Sequence, residues 1–339
     1  MTADRPTFPP GALVLVTGAS GYTGTVLVKK LVAQGAKVRA IARASSNLQP
    51  FEGLDIEWIR GDVFDPTVIA KATHDVEYVI HVAAAYREAK ITDETYHKVH
   101  IESTKLLAHA LVGQPNFKRF VHVSTVGVHG HIEDPPADEN YRFNPGDIYQ
   151  RTKAEAELWI REFSAKTNFP IAIVRPAAIY GPGDKRLLKV FKMASKPIFP
   201  LFGKGQGLYH LIHVDDLTDI FILAAVHPRA LGEIFIAGNA QPSRLEDIAR
   251  TIADELGNKK MRYVRFPAWP LFLAADICEA ICRPLGIEPP IYRRRVAFFT
   301  KDRAFKTEKL QALLGYTNRT DVRDGLRSTA RWYRKTGWL

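Results

Sequence analysis

Two hydrophobic periods alternate along the chain. Short, β-branched and nearly continuous apolar runs recur at 14–16, 37–42, 55–60, 76–82, 120–123 and 171–174. Between several of them the apolar residues return every three or four positions, which predicts amphipathic helices over 25–34, over 92–112 and from 149 through 159. Strands that are apolar at almost every position are buried on both faces. Their alternation with helical patterns therefore predicts an α/β fold whose parallel sheet is covered on both sides. The rhythm breaks at residues 181–208, where Lys185, Arg186, Lys189 and Lys192 stand beside Leu187, Leu188, Phe191 and Met193. Residues 211–214 and 233–237, with a helix over 215–226 between them, predict a return to the sheet. An amphipathic helix over 244–256 and terminal helices over 310–332 complete the chain.

The first strand feeds the sequence Thr17-Gly18-Ala19-Ser20-Gly21-Tyr22-Thr23-Gly24, a GxxGxxG spacing at the mouth of a helix. Such a turn needs Gly18 to bend sharply, Gly21 to leave the backbone open to a pyrophosphate, and Gly24 to pack the helix on its strand. Backbone N–H groups around Ser20, Gly21, Tyr22 and Thr23 then meet the phosphates at the helix N-terminus. The glycines alone also fit a plain tight turn; the strand before them and the helix after them favour a dinucleotide site. The predicted fold is thus a Rossmann-type, doubly wound parallel sheet. Its organisation is a dinucleotide-binding domain over 1–180, completed by sheet elements at about 209–237, and a smaller, mostly C-terminal substrate region over 181–208 and 238–339.

Ligands of such sheets bind beyond the carboxyl ends of the strands, and several candidates fall there. The second strand ends Ala42-Arg43, without the acid that usually holds the adenosine ribose. Arg43 suits a 2′-phosphate, so NADP(H) is favoured over NAD(H), which stays the alternative. Arg39 is a lesser candidate, and a solvated loop arginine is the plain reading of Arg43. Asp62 and Val63 follow the third strand, where the carboxylate suits the adenine amino group or, more plainly, a turn cap. Ala83 and Ala84 are small enough for a cofactor to lie against the backbone. Ser124 and Thr125 close the fifth strand.

Tyr149 and Lys153, in Tyr149-Gln150-Arg151-Thr152-Lys153, lie one helical turn apart on one face. A neighbouring ammonium favours phenolate and brings a tyrosine toward acid–base work near neutrality. The spacing is common on exposed helices; its place after the glycine turn and Thr125 is what gives it weight.

With these pieces the chain resembles the extended short-chain dehydrogenases/reductases of the epimerase/dehydratase superfamily, on the branch that includes 3β-hydroxysteroid and sterol dehydrogenases. The resemblance rests on TGASGYTG at 17–24, GDV at 61–63, HVAA at 81–84, VSTVGVHG at 123–130, YQRTK at 149–153, RPAAIYGPG at 175–183 and IHVDDL at 212–217. It implies Thr125 as the hydroxyl that bonds the substrate oxygen, Tyr149 as acid/base, and Lys153 as its partner and a ribose ligand. It also implies Pro176, Ala177 and Ile179 at the nicotinamide, and a homodimer through the helices at 92–112 and 147–168. One departure stands out. Where the family commonly carries Asn in a VNVxGT-like segment, the chain has Val99-His100-Ile101-Glu102-Ser103-Thr104, so His100 either enters a water relay or only packs.

The resemblance leaves the substrate open between a hydrophobic alcohol or ketone and a sugar nucleotide. In sugar-nucleotide relatives an arginine often precedes the IHV segment, where this chain has Leu208-Tyr209-His210. Dehydratases carry an Asp-Glu pair after the threonine, where it has Val126-Gly127. Lys185 or Arg186 remains available for a phosphate. The apolar segment over 264–287, interrupted by Asp276 and Glu279, predicts a single-faced or lid helix rather than a span, either as ordinary packing over the cleft or as a cover for a lipid-like substrate, touching membrane with Arg293 to Arg295. The expected activity is interconversion of a secondary alcohol and a ketone on a sterol- or lipid-like molecule. The alternatives are a nucleotide-sugar epimerase/dehydratase and a protein that binds dinucleotide without turnover.

Composition narrows this further. The 339 residues are 46% hydrophobic and 24% charged, which suits a soluble globular protein. The net charge of +11 is scattered and accompanied by no nucleic-acid motif, so it suits anionic ligands rather than nucleic acid. Two cysteines, Cys278 and Cys282, make no disulfide framework and point to packing in a reducing, cytoplasmic compartment. No signal peptide or spanning segment is expected. His129 and His131 have HxH spacing without a clear third ligand, so no metal is expected.

Overall fold

Residues 13–17 alternate strictly between two cores: Val14 and Val16 pack into one apolar cluster and Leu15 into another. Tyr78 and Ile80 against Val79, and Val121 and Val123 against Phe120, divide the same way. A strand whose successive side chains enter two dry layers must lie inside a sheet covered on both faces. In the computed structural model, which describes residues 6–85, 92–203, 207–282, 284, 289, 291, 296 and 302–339, that sheet has seven strands.

The strands are β1 (Leu13–Thr17), β2 (Lys37–Ala42), β3 (Ile56–Arg60), β4 (Tyr78–His81), β5 (Arg119–Val123), β6 (Ile171–Pro176) and, numbered here in chain order after four short strands, β11 (Ile234–Ala237). Their order is β11-β6-β5-β4-β1-β2-β3, and every pair is parallel. The order reverses at β1, where β2 lies on one side and β4 on the other. That gap is where an open α/β sheet receives a ligand. Helix α1 (Tyr22–Ala33) follows β1, α2 (Pro66–Ala72) follows β3, and α5 (Ile148–Thr167) precedes β6.

The predicted 92–112 helix is present in three pieces. Helices α3 (Asp93–His97) and α4 (Ser103–Leu111) are joined by one wide π-helical turn at Lys98–Glu102, with His100 and Ile101 buried in it. Such turns often mark functional sites in helices.

Two expectations are corrected. Residues 211–214 do not return to the main sheet. Strand β10 (Leu211–His213) pairs in parallel with β7 (Ala178–Tyr180) in a separate two-stranded sheet. The reason is local: the edge of β6 is already taken by β11 as far as Ala237 opposite Pro176, and Ala177 N–H donates to Ala237 O at 2.8 Å. The apolar segment from 264 also begins as a strand, β13 (Arg262–Phe266), which pairs with β8 (Ile198–Phe202). Helix α9 starts only at Trp269 and ends at Cys282.

A third apolar cluster forms beside the sheet. It joins Val190 and Phe191 of α6 (Leu188–Ala194), Phe199 and Leu201 of β8, Ile248 and Ile252 of α8 (Leu245–Glu255), and Leu326 and Tyr333 of the last helix, Val322–Lys335. Asp216, in the first turn of α7 (Val214–Val226), ties the C-terminal chain down. Its carboxylate accepts from Tyr316 Oη and Arg319 N, both at 2.8 Å, and from Thr320 N at 3.2 Å.

Candidate active site

Each glycine of the first turn has a distinct steric reason. Gly18 has φ +69°, and a Cβ there would stand 2.7 Å from Ala83 N. A Cβ on Gly24 would stand 2.1 Å from Gly18 O. Gly21 meets only Gly18 O, at 3.2 Å, so its outer side is left to a ligand. Helix α1 opens at Gly21 with no side-chain cap and no acidic residue in its first turn. Its first N–H groups have no intrahelical acceptor, which fits a pyrophosphate. Ser20 Oγ donates to Ser46 Oγ at 3.2 Å, bringing the segment after β2 beside the turn.

The other predicted cofactor contacts lie at or just beyond the carboxyl ends of the parallel strands. Arg43 is exposed at the end of β2, and its carbonyl accepts from Arg60 Nη1 at 3.1 Å. Arg39 points elsewhere: its guanidinium bonds Glu57 Oε2 at 2.8 Å and the carbonyls of Ala72 and His74. Asp62 is exposed and Val63 half-buried after β3. The capping role is filled by Asp65, which accepts from Thr67 N and Val68 N at the start of α2. Ala83 is buried against the glycine turn and Ala84 is exposed. Pro176 ends β6, Ala177 is buried and Ile179 half-buried.

Thr125 follows β5, and its Oγ1 accepts from Gly127 N–H at 3.0 Å. The hydroxyl proton is then still available to a substrate oxygen. Helix α5 is started by Asp147, which accepts from Gln150 N at 2.8 Å, while Gln150 Oε1 reaches back to Gly146 N at 2.7 Å. This cap sets Tyr149 and Lys153 on the first turns. Tyr149 is half-buried, with the His100 ring edge-on at 5.4 Å. Lys153 is buried; Nζ donates to Val123 O at 2.9 Å and stands 3.5 Å from Ala83 O. Burial in this apolar setting lowers its ammonium to about 7.

Sequence reasoning assigned no role to the polar chain behind this wall. Ala83 N–H donates to Thr17 Oγ1 at 3.2 Å; because the one Ser103 proton goes to Val99 O, His81 is protonated on Nε2 and its bare Nδ1 accepts from Thr17 at 2.7 Å. His81 Nε2–H then donates to Ser103 Oγ at 3.2 Å, and Ser103 donates to Val99 O at 2.6 Å. Burial holds His81 neutral, with its pKa lowered to about 3. The sequence signal was only that Thr17 and His81 sit inside the family motifs and Ser103 inside the 99–104 segment. Nearby, neither ring nitrogen of His122 has a hydrogen-bond partner among the described residues, and burial drives its pKa well down.

Three basic residues flagged by pattern are committed elsewhere. His129 bonds Arg142 O and Arg175 Nη1, each at 3.2 Å. Arg186 Nε bonds Asp184 Oδ1 at 2.8 Å, and Lys185 Nζ lies over the Trp338 ring at 5.5 Å. In the segment before IHV, Tyr209 and His210 are both buried, and the His210 ring bonds Asn239 O and Phe305 N.

Comparison with known proteins decides the class. Residues 14–238 match the NAD dependent epimerase/dehydratase family. The chain belongs to that family. It is an enzyme of the extended short-chain dehydrogenase/reductase type. Among its relatives is a 3 beta-hydroxysteroid dehydrogenase/Delta 5→4-isomerase of Mycobacterium tuberculosis, 31% identical over 74% of this chain and 71% of that protein. A decarboxylating sterol-4-alpha-carboxylate 3-dehydrogenase of Candida albicans is 26% identical over 94% and 97%. A trifunctional UDP-glucose 4,6-dehydratase/epimerase/reductase of Arabidopsis thaliana is 23% identical over 97% of this chain, which spans 48% of that protein's length. The crystal structure of gox2253 superposes with a TM-score of 0.81 at 28% identity, covering 97% of this chain and all of that one.

Proposed function

We propose that the protein interconverts a secondary alcohol and a ketone on a hydrophobic, sterol- or lipid-like molecule, using NADP(H) in preference to NAD(H). The observation that carries the site is Lys153. Its buried ammonium is held by strand-end carbonyls directly behind the glycine turn, one helical turn from Tyr149. Gly18, Gly21 and the start of α1 would take the pyrophosphate, Arg43 the 2′-phosphate, and Ala83, Ala84 and Pro176 to Ile179 the nicotinamide side. When bound, the dinucleotide supplies or accepts the hydride.

The remaining work falls to three side chains. Thr125, with its oxygen already accepting from Gly127, donates its proton to the substrate oxygen and polarises it. Tyr149 gives a proton to that oxygen in reduction and removes it in oxidation. Lys153 lowers the cost of the phenolate and would hold the cofactor's ribose, which would offset the burial that disfavours its charge.

Three features support an apolar substrate over a sugar nucleotide. The place that would carry a diphosphate-binding arginine is filled by buried Tyr209 and His210. Arg186 and Lys185 are engaged with Asp184 and Trp338. Helix α9 turns Trp269, Leu273, Ile277 and Ile281 to solvent at 68, 53, 53 and 58% exposure, a four-residue spacing along one stripe. Such a stripe suits a lipid-like surface.

The test is a panel of hydrophobic ketones, sterols and sugar nucleotides, followed by absorbance of the reduced cofactor. Turnover with hydrophobic alcohols or ketones is expected. Activity confined to sugar nucleotides would replace the substrate assignment. Tight cofactor binding without turnover on any class would remove the catalytic one.

A further inference from the structure

His100 takes no part in the chemistry of Thr125, Tyr149 and Lys153, although it stands where a relay residue is expected. We propose that His100 is a positioning residue, a fixed neutral strut that locks the cofactor-side wall to the helix carrying Tyr149 and Lys153, and that it carries no proton. The inference rests on the catalytic reading of Tyr149 and deepens it.

The direction of each hydrogen bond fixes the tautomer. Ala85 N–H is a donor only, and it meets His100 Nε2 at 3.0 Å, so Nε2 is the unprotonated nitrogen. The proton therefore sits on Nδ1, which donates to Thr152 Oγ1 at 2.7 Å. Thr152 in turn donates to Ile148 O at 2.8 Å. The chain runs one way, from the backbone of the cofactor wall into the first turn of α5, and ends on a carbonyl. No lone pair or proton of the ring is left to exchange with a substrate or solvent.

Packing holds the ring in that role. It is fully buried, edge-on to Tyr149 at 5.4 Å and to Tyr96 at 5.8 Å. The wide turn at 98–102 seats it, and Thr104 Oγ1 closes on its carbonyl at 2.6 Å. The ionisable groups facing it are Lys153 on α5, His81 at the end of β4 and His97 on α3, besides the two phenols. Burial and these bases together hold its pKa well below the ordinary histidine value. An imidazole spans both partners at once. An asparagine at this position reaches only the Thr152 side, and a glutamine only the Ala85 side.

Two measurements test the strut. In the first, ¹⁵N-histidine NMR of the intact protein, with His100 assigned by its loss in His100→Asn, should show a neutral Nδ1–H ring from about pH 5.5 to 9, across the ordinary histidine range. It should do so with and without NADPH. Titration within that range, or a tautomer change on adding NADPH, would overturn the proposal.

In the second, His100→Leu should lower kcat on the order of 10–100-fold, the scale of a misplaced reacting group. Both limbs of the pH–rate profile should stay in place, and His100→Asn or His100→Gln should recover part of the rate. Loss or displacement of a limb would mark a proton carrier, and an unchanged His100→Leu rate would remove the role altogether. Full activity in Tyr149→Phe would instead defeat the catalytic reading, and the nitrogen shifts would still decide the strut.

Discussion

Lys153 carries an electrostatic penalty for its burial. Its folded-state pKa of about 7 lies below the model-compound value of 10.5. The penalty is therefore fully present below pH 7, where both states are protonated. It is relieved as pH rises toward 10.5, where the unfolded chain holds a proton that the folded one has released. In the cofactor-free protein, the melting temperature of Lys153→Met relative to wild type should be most favourable near pH 6 and decline toward pH 9–10. A difference independent of pH would mean that the amine is solvated. Arg43 supports a separate prediction. Arg43→Ala should raise the dissociation constant for NADPH by about tenfold, the scale of one lost charge-assisted contact, and leave that for NADH nearly unchanged; equal losses would argue against the 2′-phosphate assignment. At this scale the sequence was informative wherever spacing is local. Tyr149 and Lys153 could be paired because one helical turn joins them. The carbonyls that hold Lys153 are 30 and 70 residues away in sequence, and Thr17 meets His81 across 64. Only strand order brings such pairs together.

Between elements, one buried ion pair fastens α5 to β6. Arg175 donates to Glu157 Oε2 at 3.0 Å and to Oε1 at 2.5 Å, with both side chains fully buried, and a third bond runs to Glu139 O at 2.7 Å. Removing one partner strands a charge in a dry interior. Glu157→Gln should therefore cost about 3–5 kcal/mol in denaturant unfolding, and Arg175→Met a similar amount. The double variant Glu157→Gln/Arg175→Met should recover a large part of that loss; additive losses would contradict the coupling. The main helices and strands could be read from hydrophobic period alone. The wide turn at Lys98–Glu102 could not, because Tyr96, His100, Ser103 and Leu107 keep an ordinary helical spacing through it. The departure of 211–213 from the sheet was equally hidden, since a buried strand looks the same whichever edge it joins.

For the molecule as a whole, the sheet and its cleft were legible because each strand end falls next to a small or polar residue: Gly18, Asp62, Ala83, Thr125. The C-terminal third was less so. Helix α9 was expected either to pack over the cleft or to cover an apolar substrate. Among its described residues only Ala275 is buried, and Cys278 and Cys282 lie half-exposed with sulfurs 3.9 Å apart. The Arg293–Arg295 cluster lies outside the described residues. No helix among the described residues is long and apolar enough to cross a membrane; the exposed stripe of α9 is where we propose contact with lipid. Replacing Trp269, Leu273 and Ile277 together by serine should abolish co-sedimentation with vesicles of phosphatidylglycerol and phosphatidylcholine, with the melting temperature nearly unchanged. Undiminished binding would show that the stripe is not the contact. The proposed chemistry turns on the Tyr149 phenol. Its most direct measurement is the turnover of Tyr149→Phe on whichever ketone the wild-type enzyme reduces, with NADPH affinity determined alongside. A fall of at least ~100-fold in kcat with affinity retained is the predicted result; an undiminished rate would contradict it.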